Sequence, residues 1–298
     1  MRRLPFLAIS VLLAVGAGTA PATATATPPP PPVADVAVTV DGLSAPSAVD
    51  AGRVTMRVSS SDPDGAWVGL VRLRRGVTVD EYLADLRLAF GHDPAQALAG
   101  ARAIADEAIM LGGGAVANTP VSVSVDVDPG TYYLVDFLDV ALPDLAERIH
   151  PIVVSGRRDQ TSESAQVAPE PRPTARITHV DTVAGPRFRA PDHVEAGAPI
   201  EVANRSRQFN EAIFMPVRPG TTDLDVDAYF RTIDSGGRPE TSPFTGGPTG
   251  LVPMSPDRTA VLTVDLPPGQ YALVTWVRDL RTGHLLAAEG MHTLVTIG

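Results

Sequence analysis

The second half of this chain repeats the first, and that repetition limits what it can fold into. Ala45-Pro46 and Ala51-Gly52 recur as Ala190-Pro191 and Ala196-Gly197, and Val54-x-Met56 recurs as Ile200-x-Val202. Leu73-Arg74-Arg75-Gly76-Val77-Thr78 returns as Val217-Arg218-Pro219-Gly220-Thr221-Thr222. The run Val125-Asp126-Val127-Asp128-Pro129-Gly130-Thr131-Tyr132 returns as Val264-Asp265-Leu266-Pro267-Pro268-Gly269-Gln270-Tyr271. Glu147-x-x-His150, ending at Gly156, matches Glu289-x-x-His292, ending at Gly298. A period this long describes two copies of one unit of about 120 residues, which is ordinary domain size.

Within each copy the apolar residues alternate. Val36, Val38 and Val40 share one face, as do Val54, Met56 and Val58, and Val121, Val123, Val125 and Val127. Period-two spacing of β-branched residues marks half-buried strands. About seven such segments per copy, separated by turns, place the chain in the all-β (mainly β) class. The expected architecture is two tandem Greek-key β-sandwich domains with short helical insertions. Thr78 with Glu81 three residues on forms a capping box and starts a helix near Val79. Asp93 followed by Pro94 starts a second, Ala-rich helix that runs to about residue 111, where Gly112-Gly113-Gly114 is expected to end it. The second copy has a Gly/Pro-rich loop there, residues 234–250. Tyr132 and Tyr271 each follow a Gly turn by two residues and resemble tyrosine corners.

Arg2 and Arg3, an apolar stretch over residues 6–15 and small residues up to Ala24 or Ala26 read as a secretory signal peptide. The expected division is a signal peptide at 1–26, a Pro-rich spacer at 27–34, a first domain at 35–157, a linker at 158–174 and a second domain at 175–298. An exported, soluble protein with no membrane span is expected. It has no cysteine to form disulfides, and its net charge of −10 disfavours nucleic acid.

One ordered set of residues in the second copy resembles the cupredoxin family, the plastocyanin/azurin-like blue-copper fold. The resemblance covers about residues 187–297. It consists of Ala190-Pro191 with Ala196-Gly197, Asn204-x-Ser206, Arg218-x-Gly220, Gly246-Gly247, the Pro-Gly-x-Tyr turn at Tyr271, then His284 and Gly290-Met291. It implies a copper site of two His, a Cys thiolate and an axial Met. Carried over by position, the first His falls at Asn210, the Cys at Thr275, the second His at His284 and the Met at Met291. Two of the four ligand types are replaced. The first copy places Ala66 or Trp67, Asp136 and Ile149 at the corresponding positions, with no second His.

Three functions are therefore expected in turn. The first is a secreted, non-enzymatic cupredoxin-like protein that has lost type 1 copper and binds a partner or supports structure at the cell envelope or outside it, with no cofactor. The second is weak copper handling through His284, Met291 and His292, since Met/His sets hold Cu(I). The third is an accessory module for a polysaccharide or protein partner, which needs an exposed aromatic platform and is opposed by burial of Trp67 and Trp276. No Gly-x-Ser-x-Gly elbow, His-Glu-x-x-His or phosphate loop is present. Ser60-x-Asp62-x-Asp64-Gly65 reads as a turn rather than a calcium loop, and His193 as a surface residue. Asp136, on a strand otherwise expected to be apolar, is a candidate for a perturbed pKa.

Overall fold

In a computed structural model the chain is described over residues 33–156 and 172–298. The segment expected to be a signal peptide, the spacer up to residue 32 and the expected linker up to residue 171 lie outside the described residues. The first copy contains β1 (Val33–Thr39), β2 (Gly42–Ser44), β3 (Ala48–Asp50), β4 (Gly52–Ser60), β5 (Ala66–Leu73), α1 (Val79–Ala89) and α2 (Pro94–Glu107). It continues with β6 (Ala108–Val116), β7 (Val121–Val127), β8 (Gly130–Asp136), a 3-10 turn (Phe137–Ala141), α3 (Leu145–Arg148) and β9 (His150–Ser155). The second copy contains β10 (Ala175–Thr182), β11 (Gly185–Arg189), β12 (His193–Val194), β13 (Ile200–Arg205) and β14 (Asn210–Pro216). It ends with α4 (Asp223–Asp234), β15 (Thr249–Met254), β16 (Thr259–Val264), β17 (Gly269–Val274) and β18 (Thr293–Ile297).

The strand orders carry the repeat into three dimensions. One sheet runs β11-β10-β13-β16-β7-β4-β1-β2 and the other β12-β18-β17-β14-β15-β6-β5-β8-β9-β3. Read from either end, each sheet meets corresponding strands in the same order. The copies are joined in the middle by antiparallel pairing of β7 with β16 and of β6 with β15. At those seams Val123 lies opposite Leu262 and Gly114 opposite Leu251, which are corresponding residues. The fold is thus mainly β, with two sheets continuous through both copies about a pseudo-twofold axis. Neither copy presents its β6–β7 side to solvent as a free edge, which is one way a sheet avoids unpaired backbone groups.

Two cores follow from this layering. Between the sheets lie Met56, Val123, Tyr132, Phe214, Leu262 and Tyr271. On the other face of the ten-stranded sheet the helices and the loop before β18 cover Leu86, Ile104, Ile213, Phe230, Leu286 and Met291. β14 shows why its sequence is apolar without alternation: Ala212 and Phe214 enter the first core, Ile213 and Met215 the second.

The capping signals place the helices as expected. The Thr78 side chain accepts from the Glu81 N–H, and Asp93 accepts from Ala95 and Gln96. Both tyrosine corners form, with Tyr132 Oη donating to the Asp128 carbonyl at 2.9 Å and Tyr271 Oη to the Pro267 carbonyl at 2.8 Å. The Asp62 carboxylate accepts from the Asp64 N–H at 2.9 Å, an ordinary turn.

Four expectations need correcting. The first strand begins at Val33, so the last two residues of the 27–34 spacer belong to the fold, and Ala34 is buried. α2 ends at Glu107, and Gly112-Gly113-Gly114 lie within β6. They allow close strand approach rather than ending a helix: a β-carbon on Gly113 would stand 2.0 Å from the Val68 carbonyl oxygen, and one on Gly250 2.3 Å from that of Ala212. Among the described residues each copy has nine strands rather than about seven, because β2, β3, β11 and β12 are too short to show alternation. Finally, Tyr132 pairs with Ile152 and Tyr271 with Val295. His292 therefore corresponds to Ile149 and not to His150, a one-residue slip that exchanges the two faces of a strand.

One replacement between copies stands out. Val36 of β1 pairs with Val58, and His179 of β10 pairs with Asn204. His179 is wholly buried against the Phe188 ring, neither ring nitrogen has a hydrogen-bond partner, and burial pushes its pKa down to about 3.

Candidate functional site: an apolar cleft at the seam

Two of the carried-over ligand positions do meet. The Asn210 side-chain N–H donates to the Met291 thioether at 3.2 Å, and both residues are wholly buried. Thr275 is also buried, and its hydroxyl oxygen accepts from the Val277 N–H at 3.2 Å. His284 faces elsewhere. Its side chain is 62% exposed, and Nδ1 lies 2.7 Å from an Asp234 carboxylate oxygen on α4. Asp234 also accepts from the Leu285 N–H at 2.7 Å and lies 3.5 Å from Arg278. His292 is buried with its two ring nitrogens 3.8 Å from Asp223 and 3.7 Å from Asp227, one carboxylate at each. Desolvation lowers its pKa against the pull of both acids.

His284, Met291 and His292 thus have three separate sets of partners. No group of three or more His, Cys, Asp or Glu side chains that could hold a metal occurs among the described residues. The residues at the carried-over positions do not fit type 1 copper. No thiolate is available, an amide N–H already occupies the thioether, and the imidazole is held on a surface carboxylate.

What the same strands build instead lies beside those positions. Strand pairing makes Trp67 the counterpart of Glu211, and Phe137 the counterpart of Trp276. All four line a cleft of about 370 Å³ between the helices of the first copy and the 276–285 loop of the second. Leu86, Ile104, Phe209 and Leu285 complete its apolar wall. Phe90 and Leu138, 55% and 48% exposed, also line it and reach solvent. Phe90 is held by stacking on Phe137, with ring centroids 6.1 Å apart.

Glu211 is the polar centre. It is wholly buried, and a carboxylate oxygen accepts from the Trp276 backbone N–H. The Trp67 and Thr275 side chains also hydrogen-bond to the carboxyl and favour its charged form, yet burial outweighs them and pushes the pKa up to about 8. The first copy uses an acid on the other strand of the pair. Asp136, on β8, accepts from the Trp67 N–H at 2.9 Å and the Leu138 N–H at 3.1 Å. Burial raises its pKa too, but its hydrogen bonds make it the cap of the 3-10 turn. A larger hollow of about 720 Å³, lined by residues such as Pro219, Gly246 and Pro268, contains no carboxylate, histidine or arginine.

Sequence reasoning missed Glu211. The usable signal was a carboxylate inside the apolar run from Phe209 to Val217. Trp67 and Trp276, weighed as a platform, are only half-buried but line this cleft.

No protein-family model matches the chain, and no curated protein matches its sequence. Among solved structures it is similar to auracyanin B at 14% identity, over 44% of this chain and 93% of that one, with a TM-score of 0.25. It is similar to a multicopper oxidase at 11% identity, over 89% of this chain and 88% of that one, with a TM-score of 0.24. A Cu-containing nitrite reductase from Thermus scotoductus matches at 13% identity over 89% of this chain and 61% of that one, also with a TM-score of 0.24.

Proposed function

We propose that this is an exported, non-enzymatic binding protein whose ligand site is the cleft at the seam of the two copies. The observation that carries this reading is the cleft itself: a concave, mainly aromatic and aliphatic surface with one wholly buried carboxyl, which is the usual make-up of a small-molecule site. The loss of copper belongs to the same reading, because Asn210 and Thr275 replace the first His and the thiolate while their neighbours Glu211 and Trp276 line the cleft. The Arg2-Arg3 and apolar segment supports export. A polysaccharide platform is less well supported, since the two tryptophans are turned into the cleft.

The test against copper handling is titration of the mature protein with Cu(I) and Cu(II) separately, followed by calorimetry and absorption. The expected result is no saturable binding at micromolar metal and no intense visible band. Tight binding that disappears when His284, Met291 and His292 are replaced would overturn the reading.

A further inference from the structure

We propose that the cleft takes a small, uncharged, planar apolar molecule carrying one hydrogen-bond acceptor, such as an aryl ketone, and seats that acceptor against the Glu211 carboxyl. This rests on the reading of the cleft as a ligand site and adds the class of ligand.

Size and lining set the first part. A volume of about 370 Å³ lies at the small end of ligand pockets and suits a two-ring molecule. Trp67, Phe90, Phe137, Phe209 and Trp276 offer ring surfaces for a flat apolar body. Charge sets the second part. Glu211 and Arg278 are the only ionisable residues among those lining the cleft. Arg278 is already engaged, donating to the Gly283 carbonyl at 2.9 Å and lying 3.5 Å from Asp234, which also holds His284. Asp136, on β8 of the first copy, is committed to the Trp67 and Leu138 N–H groups. The one positive charge at the cleft is thus already offset by Asp234, which disfavours an anionic ligand.

Glu211 decides between a cation and a neutral acceptor. Burial keeps it protonated up to about pH 8, and a protonated carboxyl donates where a carboxylate can only accept. A cation finds no counter-charge there until that proton is lost, and has only the ring faces to bind. A carbonyl oxygen matches the carboxyl in its resting form, and the surrounding low dielectric strengthens the bond.

The test uses the full mature chain and three probes that do not titrate in the range examined. These are 2-acetonaphthone, its hydrocarbon analogue 2-ethylnaphthalene, and 2-naphthyltrimethylammonium. Binding is read by quenching of the only two tryptophans, both of which line the cleft. The expected result is saturable binding of the ketone, at least about tenfold tighter than the hydrocarbon at pH 6, for one added hydrogen bond. Its affinity falls about tenfold per pH unit above pH 8, as required when only the protonated form binds. In Glu211→Gln, whose amide donates but cannot ionise, the pH dependence of ketone binding is lost. Equal binding of ketone and hydrocarbon, or a wild-type affinity independent of pH, overturns the proposal but leaves the cleft a binding site. Preference for the ammonium probe, growing with pH, overturns it in favour of a cationic ligand. Failure of all three to bind overturns both the proposal and the reading beneath it. The wild-type pH profile decides the matter even if the variant does not fold.

Discussion

Between about pH 4.5 and pH 8 the Glu211→Gln variant gains roughly 5 kcal/mol of stability on the wild-type protein. The sign follows from where the proton is held. Glu211 has a folded pKa of about 8 and an unfolded value of 4.5. Above the unfolded value the unfolded chain releases a proton that the folded chain keeps, so rising pH favours unfolding. The loss stops when the folded carboxyl also ionises. Glutamine cannot ionise and reproduces the protonated side chain. His179 acts in the opposite direction: its folded pKa of about 3 lies below the unfolded 6.5, so stability falls as pH drops between those values. The wild-type optimum therefore lies in the weakly acidic range where the two slopes meet. Glu107, pushed up to about 7 chiefly by burial, then by hydrogen bonding to and repulsion from Asp85, adds a further loss between pH 4.5 and 7 in both proteins and shifts the optimum toward the lower end of that range. Urea unfolding of both proteins at several pH values isolates the Glu211 contribution as their difference. A difference that stays constant with pH means that the carboxyl is not desolvated in the folded protein.

Gly113→Ala costs roughly 4 kcal/mol or prevents folding, and Gly250→Ala does the same in the second copy. Both glycines have a positive φ, 152° and 155°, in a region where a side chain is strained. Both also press against a neighbouring strand, whose carbonyl oxygen a β-carbon would meet at 2.0 and 2.3 Å. That oxygen belongs to backbone in a sheet covered on both faces, so it has nowhere to move. Gly76→Ala separates the two causes. Gly76 also has a positive φ, 91°, but nothing stands within 4 Å of the added atom. Only the conformational term of about 1 kcal/mol applies there. Equal losses at the two positions, measured by urea unfolding, would mean that the strands in the sheet are not packed as closely as described.

Much of the fold was legible because its signals are local. Capping residues Thr78 and Asp93 start helices because their side chains accept from backbone N–H groups two or three residues on, and Tyr132 and Tyr271 return to the turn that precedes them. The duplicated text gave the correspondence of the strands. The remainder depends on contacts between distant residues. Gly112-Gly113-Gly114 reads equally well as the end of a helix or as a close-packed strand, and the Val68 carbonyl, far away in the chain, decides between them. The continuity of the sheets was hidden for a similar reason: the valines of β7 show which face is buried but not that β16 pairs alongside. Asn210 and Met291, which the resemblance placed in one ligand set, are in contact although distant in sequence. The resemblance could not foresee that Asp234, on the helix of the other loop, holds His284 at the surface. Glu211 escaped because a lone acid in an apolar run reads as a strand end until Trp67 of the other copy closes over it.

The account's central claim is that the cleft between the copies is where this protein binds its ligand. The most direct measurement is tryptophan quenching by 2-acetonaphthone in the wild-type protein and in Ala89→Phe. Ala89 lines the cleft and is only partly buried, so a larger side chain can enter the cleft without rebuilding the core. The account predicts saturable quenching in the wild type and at least about tenfold weaker binding in the filled variant, at unchanged unfolding midpoint. Equal affinity in the two proteins would contradict it, placing the ligand outside the seam.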